Sequence, residues 1–321
     1  MVRAGRTDGR TDGRTDGRAD WRADGRAGTD AALVRRLVAT QFPQWAGQEV
    51  VPVETDGWDN RTYRLGTQLS VRLPSAARYA PAVLKEHRWL PVLGPQLALP
   101  VPEPVGLGVP DESYPHHWSV RRWLDGRPVH PGLIEDTRRF AADLAAFLRH
   151  LRTLGTVGAP AAGEHSFFRG AHPSAYDAET RRCLAQLDGI IPVDRALAVW
   201  EAALASTWQR PPVWFHGDVA AGNLLIRDGR LGAVIDFGTC GVGDPACDLV
   251  ITWTLLDQPA RRVFRRETGL DEATWARGRG WALWKALLGL SGDGAGLGPG
   301  SAERLIIELV IDEHEAGQAE A

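Results

Sequence analysis

Cysteine is scarce in this chain of 321 residues: Cys183, Cys240 and Cys247 are the only three, an odd number without the paired spacing of a zinc site. Reduced thiols are the default for such a set, and a disulfide framework is excluded as the basis of the fold. The nine histidines contain no His-Glu-x-x-His pair, which removes a common signature of a helical metal site. No apolar run approaches the about 20 residues of a membrane-spanning helix, and the N-terminus lacks the hydrophobic stretch of a signal peptide. A cytoplasmic protein with no membrane partner is expected. Charge imbalance is missing too: the net charge is −3, so nucleic acid is not an expected partner. What is present is an ordinary globular balance, 44% hydrophobic and 24% charged, in a chain long enough for two lobes with sizeable cores.

The first 29 residues are a different material from the rest. Gly-Arg-Thr-Asp repeats from Gly5 to Asp16 and then drifts through Arg18-Ala19-Asp20 and Arg22-Ala23-Asp24. Alternating Arg and Asp cancel each other, and regular glycines oppose a helix, so a solvated tail without a core is expected. Folded-looking sequence starts at Thr29-Asp30, which would cap a helix from Ala31 to Gln41.

The stretch from Val213 to Leu249, VWFHGDVAAGNLLIRDGRLGAVIDFGTCGVGDPACDL, carries the chemistry. Asp218 is followed five residues later by Asn223, the spacing of a protein-kinase catalytic loop, and Asp236 stands before Phe237-Gly238. Phosphoryl transfer passes through a loose, highly charged transition state, which calls for hard oxygen ligands to Mg²⁺ and a carboxylate to orient an attacking hydroxyl. The apolar runs Pro211–Phe215, Leu224–Ile226 and Leu231–Ile235 read as short strands, with a hairpin turn at Arg227–Arg230. A lone Asp-Phe-Gly or His-Gly-Asp is an ordinary loop; their order and spacing together are specific.

His216-Gly217-Asp218, Asn223, Ile235-Asp236-Phe237-Gly238 and Gly243-Asp244-Pro245-Ala246-Cys247-Asp248-Leu249 resemble the signature of the aminoglycoside phosphotransferase and choline kinase-like family. The resemblance extends from about Ala31 to the C-terminal helix. It implies an α+β, bilobal, protein-kinase-like fold: a tail over 1–29, a small β-rich nucleotide-binding lobe over 30–126 and a larger, mostly helical lobe over 127–321. It further implies Asp218 as the catalytic aspartate, Asn223 and Asp236 as Mg²⁺ ligands, and His216 and Asp248 as structural supports of the loop. Val219-Ala220-Ala221 departs from many relatives, which carry a His or Lys and a Pro there.

The cofactor would be ATP, with GTP as the alternative, together with Mg²⁺. Arg72 lies where protein kinases carry their phosphate-binding lysine and would pair with Glu86 on a helix from Pro81 to Leu93, although a guanidinium fork is not a point charge. Asn60, in the turn Gly57–Asn60, would lie near the nucleotide. Trp118–Leu124 reads as the last strand of the small lobe, with adenine expected near Arg121 and Trp123. Glu135–Leu154 has the three-and-four apolar spacing of an amphipathic helix, and Leu249–Leu256, Trp275–Leu290 and Ala302–His314 are further helices, with a loop at Gly292–Gly300.

For the acceptor, Asp177, Glu179 and Asp257 would meet a cation, while Trp253, Trp281 and Trp284 would stack on rings. The expected partner is a small-molecule hydroxyl compound: an aminoglycoside or other antibiotic, or a metabolic alcohol of choline, homoserine or sugar type. A nucleotide-binding pseudokinase is the weaker alternative, because Asp218, Asn223 and Asp236 are all present. A protein kinase is disfavoured because Asp236 and Asp244 leave no room for an activation segment. The oligomeric state stays open.

Overall fold

The computed structural model describes residues 29–54, 57, 59–292 and 300–319. The expected N-terminal tail and most of the Gly292–Gly300 loop lie outside the described residues. The chain forms two compact units. One holds the described residues up to Ala80 together with Gly106–Val120; the other holds Pro81–Val105 and Arg121 onwards.

The smaller unit starts at helix α1, Ala31–Gln41, the span expected from the sequence. The Asp30 carboxylate accepts from the Leu33 N–H at 2.8 Å, satisfying one of the unpaired donors of the first turn. Its apolar stripe, Leu33, Val34, Leu37 and Val38, is buried. Strands β1 (Val50–Pro52), β2 (Asn60–Leu65) and β3 (Leu69–Pro74) follow, antiparallel, with Thr62 opposite Arg72 and Asn60 opposite Pro74. In β3 Val71 and Leu73 are fully buried while Arg72 between them stays partly exposed, the alternation that a strand imposes on neighbouring side chains. With β4 (Pro104–Gly108) and β5 (Trp118–Arg122) these strands make a five-stranded sheet of order β1-β2-β3-β5-β4.

The larger unit takes helix α2, Ala80–Leu93, except for its first residue. After β6 (Arg127–Pro128), helix α3 runs over Thr137–Leu151. It is shorter than expected because Asp136 caps it, accepting from the N–H groups of Arg138 and Arg139. Phe140, Leu144, Phe147, Leu148 and Leu151 are buried on one face, as their spacing requires. Helices α4 (Asp177–Gln186) and α5 (Val193–Leu204) come next, then the strands β7 (Val213–Phe215), β8 (Leu224–Arg227), β9 (Arg230–Val234) and β10 (Gly241–Gly243).

β8 and β9 form the expected hairpin, with Asp228 at φ +51° and Gly229 at φ +72° supplying the left-handed pair that its tight turn demands. β7 does not join them: it pairs antiparallel with β10, Phe215 opposite Gly241, while β8 takes β6 as its second neighbour.

The helix expected at Leu249–Leu256 is replaced by a 3-10 turn over Pro245–Val250 and the short α6, Ile251–Thr254. Then come α7 (Gln258–Thr268), α8 (Glu272–Ser291) and α9 (Ala302–Ala319). α8 is buried on most of its circumference, with Trp275, Trp281, Leu283, Trp284 and Leu287 inside, and so forms the centre of this unit's core. α4, α5 and α7 are not foreseen from the sequence; in α7 polar content masks the stripe, which buries only Ala260, Phe264 and Thr268 among its arginines.

Candidate active site

The site residues lie in the larger unit, on the turns between the strands β7 to β10. β7 delivers the chain at Phe215 into His216-Gly217-Asp218. Gly217 takes φ +88°, and a Cβ there would come within 2.8 Å of the Thr239 hydroxyl, so only glycine allows the turn. The buried Asp248 carboxylate accepts from the N–H groups of His216 at 2.9 Å and Gly217 at 2.7 Å, fastening the 3-10 turn to the loop. Burial raises the Asp248 pKa above the ordinary carboxylate value, against the pull of those two bonds.

His216 is fully buried and its two nitrogens have fixed roles. Nδ1 accepts from the Asp218 N–H at 3.2 Å, so Nε2 carries the proton and donates to the Ile235 carbonyl at 3.0 Å. The ring thereby ties the loop after β7 to the end of β9, and it packs edge-on against Phe237.

Asn223 donates Nδ2 to both the Asp218 carbonyl and Asp218 Oδ2, each at 2.9 Å. The other carboxylate oxygen, Oδ1, is 3.1 Å from Lys285 Nζ, and the Asp218 side chain is 38% exposed. The Ile235 N–H donates to the Asn223 carbonyl, which brings Asp236 beside this pair, and Asp236 itself sits in the left-handed region at φ +66°.

Behind it, Lys85 donates to His165 Nδ1 and to the His165 carbonyl, each at 3.0 Å. Burial lowers the Lys85 pKa, while Cys240, Glu86 and Asp236 oppose that shift. His165 is neutral here by the same argument as His216: Nδ1 accepts from Lys85, and Nε2 donates to the Ala161 carbonyl at 2.7 Å. The three cysteines are free and buried, and burial pushes the Cys240 thiol up to about 12, which makes it unreactive.

Several expected residues stand elsewhere or do different work. The Glu86 carboxylate takes a buried fork from Arg121, at 2.6 and 3.1 Å, a contact the sequence did not suggest. Arg121 thus engages Glu86 through its side chain, which leaves the expected adenine contacts, made through the backbone near Arg121 and Trp123, unaffected. Arg72 and Asn60 lie on β3 and β2 of the smaller unit, and Trp123 follows β5.

Of the acceptor candidates, Asp177 accepts from Trp200 Nε1 and Arg181, pinning α4 to α5. Trp253 donates to Glu313 and packs against Trp275 in the core. Asp257 caps α7 through the Ala260 N–H and accepts from Thr137. None of the three lines the concavity beside Asp218. Its walls are Arg169, Val219, Val250, Trp281, Trp284 and Lys285, together with Gly217, Cys247 and Asp218 itself.

Lys85, Lys285 and Arg169 escaped the sequence reading, although a signal existed for two of them. Of 37 basic residues only two are lysines, Lys85 and Lys285, and both lie at this site. A flexible point charge is kept where a fork would not serve.

An antiparallel sheet unit, a helical unit and a loop that sets Asp218, Asn223 and Asp236 together define a phosphotransferase of protein-kinase-like fold. The chain belongs to the phosphotransferase enzyme family, whose family model matches residues 49–281. It is 39% identical over 61 residues to an aminoglycoside 3'-phosphotransferase of Escherichia coli, a match that spans 19% of this chain and 22% of that relative. Its fold is similar to that of wild-type aminoglycoside 2'-phosphotransferase-IIIa solved with GDP: TM-score 0.64, 16% identity, 90% of this chain and 100% of that one. It is also similar to a macrolide 2'-phosphotransferase of Brachybacterium faecium: TM-score 0.54, 20% identity, 88% and 98% covered.

Proposed function

We propose that this protein transfers the γ-phosphoryl group of ATP, or of GTP in its place, to a hydroxyl of a small molecule. The observation that carries the reading is the Asp218 carboxylate: part-exposed, oriented by Asn223, and standing in the wall of a concavity. Asp218 orients the acceptor hydroxyl and takes its proton as the acceptor oxygen bonds the γ-phosphorus. The bond from that phosphorus to the β-γ bridging oxygen breaks, and the nucleoside diphosphate leaves with the electron pair. Lys85, close to Asp236, is a second cation on the phosphate side.

Asn223 and Asp236 fit a magnesium ion. Asn223 spends Nδ2 on Asp218, which leaves its carbonyl oxygen to offer a cation, and Asp236 adds a carboxylate. No group of three or more His, Cys, Asp or Glu side chains able to hold a metal occurs among the described residues, which suits an ion held by one or two protein oxygens plus the substrate's phosphates. When bound, Mg²⁺ neutralises charge on those phosphates.

The GDP in the aminoglycoside 2'-phosphotransferase supports a nucleotide donor here, and the neighbours' acceptors make an antibiotic hydroxyl one candidate beside metabolic alcohols. No helix among the described residues is long and apolar enough to cross a membrane. With three free buried thiols, this supports a cytoplasmic location, where the nucleotide is made.

The test is incubation with ATP, Mg²⁺ and a panel of aminoglycosides, macrolides and metabolic alcohols, read by product mass. Addition of one phosphoryl group to an acceptor is expected. Asp236→Ala should abolish the Mg²⁺-dependent part of nucleotide affinity in calorimetry; an unchanged metal dependence would refute its assignment.

A further inference from the structure

The concavity beside Asp218 is lined by two cations and two indoles. Lys285 is half exposed and holds Asp218 Oδ1 at 3.1 Å. Arg169 lies with its guanidinium carbon 4.5 Å from the ring centre of Trp284 and 5.5 Å from that of Trp281. It donates to the Phe167 carbonyl and lies close to the Tyr176 hydroxyl, yet no carboxylate reaches it among the described residues.

Carboxylates on the neighbouring elements are already spent. Glu179 accepts from Trp284 Nε1 at 2.9 Å and stands 3.6 Å from Arg182. Asp177 serves Trp200 and Arg181, and the buried Asp244 serves Arg277. Among the described residues the one carboxylate lining the concavity is Asp218, whose work is the hydroxyl. An amine-rich acceptor would therefore meet two positive charges and only one carboxylate, Asp218, which Lys285 already holds.

We propose that the acceptor carries an anionic group, a carboxylate or a phosphate ester, beside the hydroxyl that is phosphorylated. The proposal rests on the reading of this concavity as the acceptor site. The anion lies between Lys285 and Arg169. Charge-assisted hydrogen bonds from an ammonium and a guanidinium are the ordinary means of holding such a group. Binding of the anion also draws Lys285 from Asp218 Oδ1 and leaves that oxygen to the acceptor hydroxyl, so the correct substrate uncovers the carboxylate that works on it.

The test uses four probes of graded charge, D-gluconate, D-glucose 6-phosphate, D-glucose and kanamycin, titrated calorimetrically into the full chain without nucleotide. The expected result is that at least one of the two anionic probes binds at least tenfold more tightly than glucose, with kanamycin the weakest. The order of gluconate and glucose 6-phosphate then tells which anion is preferred. Lys285→Glu, a change at a half-exposed position whose folding is checked by melting, should weaken that anion tenfold or more and strengthen kanamycin.

Equal affinities, a preference for kanamycin in the unaltered protein, no heat with either anion, or an unchanged order in the Lys285→Glu protein would each overturn the proposal. A separate titration with ATP and Mg²⁺ keeps the underlying reading distinct. Absence of nucleotide binding there would sink the phosphotransferase assignment while leaving the charge preference of the concavity measured.

Discussion

The segment from Val213 to Leu249 has a working face and a back, and the same residue type plays opposite parts on them. On the working face Asp218 is 38% exposed and shares its oxygens between Asn223 and Lys285. On the back Asp244 and Asp248 are 5% and 2% exposed. Asp244 is locked to Arg277 at 2.6 Å, and Asp248 accepts two backbone N–H groups. Burial raises the pKa of both, the mark of carboxylates taken from water to hold a backbone in place. A reactive carboxylate must stay open to its substrate, whereas one that positions a loop can be sealed in, because its partners never change.

If this division is right, substitutions on the two faces should separate turnover from stability. The largest effect is expected from Asp218→Asn, which keeps the shape of the side chain and removes the acceptor of the hydroxyl proton. Steady-state rates should fall by about 10²–10⁴-fold. Nucleotide affinity should hold, and unfolding should shift by no more than about 0.5 kcal/mol, as for an ordinary surface position. A melting loss as large as the rate loss would erase the distinction.

Arg277→Met attacks the back instead. It strands the Asp244 carboxylate in the core, and breaking a buried pair by removing one partner costs about 3–5 kcal/mol. Denaturant unfolding should show a loss of that order, and a loss under about 1 kcal/mol would mean that Asp244 finds other solvation. Asp248→Ala should cost less, about 2 kcal/mol, since two buried N–H groups lose their acceptor while an unfavourably buried charge disappears. Its rate should fall with the loop it supports, and addition of acceptor should not restore it.

The smallest effect concerns pH. Burial depresses the His165 pKa below the ordinary imidazole value, with the nearby Lys85 charge acting in the same direction. A group depressed in the folded state contributes stability that is present above the unfolded value of about 6.5 and is lost as pH falls through the folded value. Melting temperature should therefore decline on acidification below about pH 6.5, and His165→Gln should make that decline shallower. Identical slopes for the two proteins would remove His165 from the account.

Legibility of this protein follows sequence separation. His216, Asp218, Asn223, Asp236 and Asp248 fall within one stretch of chain whose short strands and tight turns leave few ways to fold, so residue order alone places them together. The α1 cap, the buried face of α3 and the Asp-Gly hairpin are local in the same sense: a side chain meets its own helix turn or its own strand partner.

Where the partner is distant, residue type left several choices that only packing resolves. Glu86 had arginines on either side of it in the chain, and its buried fork with Arg121 was not foreseen. Asp177, Trp253 and Asp257 are chemically suited to an acceptor, yet each is consumed by a cap, a core contact or an ion pair that only packing reveals.

By itself, then, the sequence determined the class of reaction, because the groups that phosphoryl transfer needs lie close along the chain and their spacing is set by covalent geometry. The wall of the concavity proposed for the acceptor was decided by tertiary structure. Arg169 comes from the segment before α4, and Trp281, Trp284 and Lys285 come from α8, more than a hundred positions later in the chain. They meet because α8 is buried at the centre of the larger unit's core and turns that one face towards Asp218. No spacing rule encodes such a meeting: it is the outcome of burying a helix on most of its circumference, and the charge it leaves facing the concavity is set by which carboxylates that packing has already used.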